Sequence, residues 1–131
     1  MKTIRLTVAE ALAQYLAAQK IEVDGKVEQL FGCAFAIFGH GNVTCFGQQL
    51  KNIEDKIPTW RGQNEQSMAT AAIAYAKANQ RRRIGIATSS IGPGATNMVT
   101  AAGIAHTNRL PVLLISGDAY VSRLPDPVLQ Q

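Results

Sequence analysis

Apolar positions in this chain follow two rhythms, a three-to-four-residue spacing and short unbroken runs, and their order predicts alternating helices and strands. Thr7-Val8-Ala9-Glu10 has the spacing of a capping box and predicts a helix to about Gln19, with Leu12, Tyr15 and Leu16 on its inner side. A loop is expected across Asp24 and Gly25. The run Ala34 to Phe38, ended by Gly39, suits a strand buried on both faces. A weaker helix is expected from about Val43 to Ile53, then a short strand from Pro58 to Arg61. Asn64 is placed to cap an alanine-rich helix to Asn79. Arg83 to Thr88 reads as a third strand. Ser89 to Gly94 reads as a glycine-rich turn into a helix from Ala95 to about His106, and Pro111 to Ser116 as a fourth strand.

Strand and helix alternating through short connections predicts an α/β fold, a doubly wound, mainly parallel sheet with helices on both faces. The expected organisation is one domain over residues 1–131, without internal repeats. The tail SRLPDPVLQQ carries two prolines and reads as extended or turned. Four strands leave apolar sheet edges in need of cover, so the domain is expected to be incomplete at its C-terminal side.

Composition narrows the function classes. A hydrophobic share of 47% over 131 residues is enough for one core, and a charged share of only 17% argues against disorder. The net charge of +4 is scattered except for Arg81, Arg82 and Arg83, with no interleaved aromatic residues, so nucleic acid is not an expected partner. The triplet reads as a solvated lead-in to a strand. No apolar run approaches the roughly 18 to 20 residues of a membrane span, and the amphipathic start lacks a signal peptide's apolar core. A cytoplasmic location is expected. Cys33 and Cys45 are too few and too far apart for a zinc knuckle or a redox pair, so no metal site is expected.

The candidate chemistry centres on Glu65. It opens the alanine-rich helix on the stripe of Met68, Ala69, Ala72, Tyr75 and Ala76, a face that normally meets a core. A carboxylate there is either paired or working, the plainer reading being a helix-start charge worth ~0.3–1 kcal/mol. Two loops, Gly39-His40-Gly41-Asn42 and Ser90 to Asn97, follow strands, where ligands of doubly wound sheets lie. Neither completes a dinucleotide or phosphate-loop motif. Pro93 removes a backbone donor and suits a hard apolar wall, with Gly92 and Gly94 admitting a flat group. His40 is a candidate proton carrier or a plain loop residue, and His106 sits where a helix dipole favours it.

The stretches NEQSMATAAIAYAK and TSSIGPGATNMVTAAGIAHTNRLPVLLISGD resemble the pyrimidine-binding domain of thiamine-diphosphate enzymes of the acetohydroxyacid synthase type. FAIFGHGN, the doubled serine with Ile91 before GPGATN, and PDPVLQQ are most similar to a branch that opens a polyhydroxylated cyclic dione with water in inositol catabolism. Acetolactate synthases carry a tyrosine-proline-glycine-glycine loop and a glutamine where this chain has Gly39 to Asn42 and Asp118. The resemblance implies thiamine diphosphate as cofactor. It also implies Mg2+ bound by a separate domain carrying GDG, which is absent from this sequence. The glutamate at the position of Glu65 then hydrogen-bonds N1′ of the aminopyrimidine and favours the tautomer that removes the C2 proton. Gly39, Gly41, Pro93 and Asn97 fall at cofactor-side positions, and His40 and Gln130 at substrate-side ones. The implied partners are the small cyclic dione, the diphosphate-binding domain of a second subunit and further copies in a homo-oligomer. A carboligase, a non-catalytic module keeping the fold and a nucleotide-binding domain are the alternatives.

Overall fold

The computed structural model describes residues 3–119 and 122. The expected α/β class and parallel sheet are observed. Helix α1 (Val8–Ala18) opens with the capping box in full: Thr7 Oγ1 accepts from the Glu10 N–H at 3.2 Å, and the Glu10 carboxylate accepts from the Thr7 N–H at 2.7 Å. Its buried face is Ala13, Leu16 and Ala17. Tyr15, expected inward, is 62% exposed, because the helix turns the row of Ala13, Leu16 and Ala17 to the core and leaves Tyr15 outside it.

The loop expected at Asp24 and Gly25 is the two-residue turn of an antiparallel hairpin, β1 (Lys20–Val23) and β2 (Lys26–Gln29). Both turn residues have positive φ, 51° and 76°, as the Asp-Gly pair favours. Strand β3 (Phe31–Ala36) starts three residues earlier than the apolar run suggests and stops before Ile37. Gly32 makes the early start possible. The register slips between Phe31 and Cys33, and the Tyr75 hydroxyl occupies the space a Cβ at Gly32 would need.

A continuous helical run follows, α2 (Gly39–Asn42), a π-helical turn at Val43–Gly47 and α3 (Gln48–Asn52). Then come β4 (Thr59–Arg61), α4 (Glu65–Ala78), β5 (Ile84–Ser89), α5 (Pro93–Asn97), α6 (Val99–Asn108) and β6 (Val112–Ser116). Asn64 caps α4 as expected, accepting from the Ser67 N–H at 2.9 Å. The helix expected from Ala95 is two, broken at Met98.

The four-stranded sheet runs β4-β3-β5-β6, all parallel. Alternation along each strand sends Ala34 and Ile86 to one face, under Ala13, Leu16, Phe46 and Leu50. It sends Ala87 and partly buried Val112 and Leu114 to the other face, under Ala69, Ala72, Ile73, Ala101 and Ala105. Helices therefore cover both faces. On the second face α4 lies so close that a Cβ at Gly85 would be 2.8 Å from the Cα and the carbonyl oxygen of Ala72.

The arginine triplet does more than solvate a strand lead-in. Arg81 donates to the carbonyl oxygens of Asn108 and Arg109, and Arg82 pairs with Asp24 at 3.2 Å. Arg83 donates to the carbonyl of Gln29 and lies 5.8 Å from the Tyr75 ring centre. Together they tie the hairpin and the end of α6 to the approach of β5.

Two outcomes follow from this packing. Gly85→Ala is expected to lower stability in urea unfolding by about 1–3 kcal/mol through overpacking. Gly103→Ala, whose added methyl meets nothing within 4 Å in mid-helix, is expected to raise it by about 0.5–1 kcal/mol. In addition, burial pushes the Cys33 thiol up to about 11, whereas Cys45 is exposed. At pH 8 iodoacetamide should alkylate Cys45 at least about a hundredfold faster than Cys33, which reacts only on unfolding, as peptide mapping would show.

Candidate functional site

The strand order places the first sheet strand, β3, beside the third, β5, with the chain leaving them in opposite directions. That is the switch point of an open parallel sheet, and the crevice beyond the carboxyl ends of the two strands is where such sheets take ligands. The segment after β3 and the segment after β5 are the two singled out in the sequence. They are less loop-like than expected, since Gly39–Asn42 and Pro93–Asn97 are each a turn of helix.

Glu65 stands at the start of α4 and is half-buried. The Asn97 side-chain amide donates to its Oε2 at 2.9 Å, so the carboxylate is paired, but with a neutral group. Its Oε1 lies 3.1 Å from the point a Cβ at Gly94 would occupy, and the Ser90 hydroxyl borders the same point. No described residue hydrogen-bonds Oε1 or forms an ion pair with Glu65. One oxygen is thus held while the other lies close against Gly94, where the absence of a side chain lets the turn after β5 pack on the carboxylate. Oε1 keeps the capacity to accept one further donor.

The local backbone brings the turn after β5 against Glu65. Gly92 adopts φ 66° and ψ −122°, a region open to glycine, which turns the chain sharply after β5. Pro93 then takes the first helical position, where its missing N–H leaves no gap, and its ring is exposed. Asn97, one turn later, is carried back to Glu65.

Gly39 has φ 64°, and the added Cβ at Gly41 would meet nothing within 4 Å. His40, between them, is exposed in the first turn of the helical run. Glu65, Pro93, Gly94 and Asn97 thus come together, while His40 lies on the β3 side of the crevice with no hydrogen-bond partner among the described residues. Gln130 lies outside the described residues. His106 falls in the last turn of α6, remote from the switch point.

Within the two segments the structure brings forward Ser90, whose hydroxyl packs against Gly94, and Asn42, whose Nδ2 is 3.3 Å from a would-be Cβ at Gly117. Gly117 was not singled out by the sequence; its signal was the position immediately after an apolar run, which becomes specific only when the pairing of the strands is known. The hydroxyl of Thr88, at the end of β5, is fully buried and has no hydrogen-bond partner. Among the described residues no three His, Cys, Asp or Glu side chains cluster as metal ligands. Nor is any helix long and apolar enough to cross a membrane.

Comparison with known proteins bears on this crevice directly. Residues 6–131 match the family described as thiamine pyrophosphate enzyme, N-terminal TPP binding domain. The whole chain is 53% identical to a 3D-(3,5/4)-trihydroxycyclohexane-1,2-dione hydrolase of Geobacillus thermodenitrificans and 48% identical to one of Bacillus cereus. Over 130 residues, 99% of the chain, it is 51% identical to the hydrolase of that name from Shouchella clausii. It covers 20% of each of these relatives, so the chain spans about a fifth of their length. A match that runs unbroken through all four parallel strands and both segments of the crevice leaves one assignment, and the chain belongs to the N-terminal TPP binding domains of thiamine pyrophosphate enzymes.

Proposed function

We propose that this chain is the pyrimidine-binding part of a thiamine-diphosphate-dependent hydrolase that opens the ring of trihydroxycyclohexane-1,2-dione in inositol catabolism. The observation that carries the reading is Glu65: a half-buried carboxylate without a counter-charge among the described residues, one oxygen held by Asn97 and the other beside Gly94 with no hydrogen-bond partner among the described residues. The names of the three relatives support the substrate.

When bound, thiamine diphosphate supplies a nucleophilic thiazolium carbon that adds to a substrate carbonyl before water completes the opening to an acid. This chain's residues act on the pyrimidine end. Glu65 Oε1 takes up a hydrogen bond at N1′ and exchanges a proton there. Asn97 holds Oε2 and so fixes the rotamer that leaves Oε1 beside Gly94. Gly94 and Gly92 let the ring approach the backbone, and Pro93 bounds it with an apolar surface that offers no competing donor. Gly39 and Gly41 lie on the cofactor side, and His40 flanks the substrate side, where it relays a proton. The diphosphate and Mg2+ are held by a domain outside this chain, contributed by a second subunit of a homo-oligomer.

In the full-length enzyme, Glu65→Gln should slow exchange of the cofactor's C2 proton and turnover by roughly 10² or more, the scale of a lost positioned acid or base, with little change in melting temperature. A helix-start carboxylate alone would give ~1 kcal/mol or less of lost stability with parental exchange, and that result would sink the reading. Titration calorimetry of the 131-residue chain with thiamine diphosphate and Mg2+ should show weak binding or none, because the charged end finds no ligands here. Micromolar affinity would contradict the division between two domains.

A further inference from the structure

Thr88 and Ser89 end β5, Ser90 follows them, and all three are buried, Ser90 at 7% exposure. A Cβ on Gly94 would meet two oxygens first, Ser90 Oγ and, at 3.1 Å, Glu65 Oε1. The bare glycine thus lets a hydroxyl from the end of β5 and a carboxylate from the start of α4 close on one spot. They are not hydrogen-bonded to each other. The hydroxyl donates instead to the Ile91 carbonyl at 3.2 Å, a bond between adjacent residues and longer than the roughly 2.5–3.0 Å usual for O–H···O. No described residue donates to this hydroxyl, and Oε1 has no partner among the described residues either.

A hydroxyl so placed has two acceptors within its surroundings, and a charged oxygen makes a shorter and stronger bond than a peptide carbonyl. Burial keeps water from competing for it. We propose that Ser90 is a positioning residue for Glu65, its hydroxyl moving between the Ile91 carbonyl and Glu65 Oε1 as the carboxylate gains and loses the proton it exchanges with N1′. While Glu65 is charged, the hydroxyl donates to Oε1, so that Ser90 and Asn97 hold one carboxylate oxygen each. When Glu65 takes the proton, the hydroxyl returns to Ile91. Ser90 keeps its own proton throughout, and the one proton that transfers passes between N1′ and Oε1. The Asn97 amide only donates to Glu65 and favours the charged form alone, whereas a hydroxyl with a second acceptor releases the carboxylate when the charge is gone. The inference deepens the proposed function and rests on its assignment of Glu65.

The test uses the full-length enzyme with Ser90→Ala, Glu65→Gln and the double variant. The readouts are C2-proton exchange of the bound cofactor, kcat and KM for the cyclic dione, and a thermal melt. Ser90→Ala is expected to slow C2 exchange about tenfold or more, the scale of a lost hydrogen bond to a charged group, with KM within about twofold and the melt near the parent's. In the double variant the rate should equal that of Glu65→Gln alone, because Ser90 acts through the carboxylate. Ser90→Gly removes the same hydroxyl and carries the test if Ser90→Ala lowers the folded yield. C2 exchange within about twofold of the parent would overturn the inference. So would a loss that persists in full in the Glu65→Gln background, the result of a hydroxyl that only fixes the turn at Ile91. Failure of the cofactor reading is separate, because it shows as parental exchange in Glu65→Gln itself.

Discussion

Everything at the crevice depends on how closely α4 lies on β5. A helix normally packs on a sheet with side chains between the two backbones, but here Gly85 brings the strand backbone against Ala72, and Ala69 and Ala76 lie fully buried on either side. The contact is between main chains and therefore has little freedom to slide. With α4 fixed at its middle, its first turn falls at the level where β5 ends, and the side chain of Glu65 meets the turn that follows β5. A bulkier pair of residues at that contact would lift the whole helix and carry the carboxylate away from Gly94 and Asn97.

Glu65 is distinguished by its partners. Holding one carboxylate oxygen with an amide keeps the charge and removes the rotational freedom, whereas an arginine would neutralise the charge that a proton-exchanging group needs.

How much was legible in the sequence follows from the range of each signal. Signals contained within four residues were read correctly: the Thr7–Glu10 box, the Asn64 cap, and Glu65 on a small-residue stripe. Asp24-Gly25 was equally local, and its hairpin went unread because its strands are short and polar, with no apolar run to announce them. The start of β3 was hidden by Gly32, whose bulge breaks the alternation that marks a strand. Non-local features were out of reach. Asn97 meets Glu65 across 32 positions, and Asn42 meets Gly117 only because β3, β5 and β6 are neighbours in an order that no single segment encodes.

The π-helical turn at Val43–Gly47 has a consequence for how this protein has diverged. Such a turn is an α-helix carrying one residue more than its hydrogen-bond pattern requires, and Gly47 lets it pack against the Phe38 ring, 3.2 Å from the place a Cβ would take. Losing one residue there would restore an ordinary helix, and because the wider turn already absorbs the extra residue, the segments on either side would keep their facing. Leu50 would stay in the core and positions 39–42 would stay at the crevice, so the change would fall on the side chains of the turn itself. A single codon gained or lost in this helix is thus taken up locally, without disturbing the core.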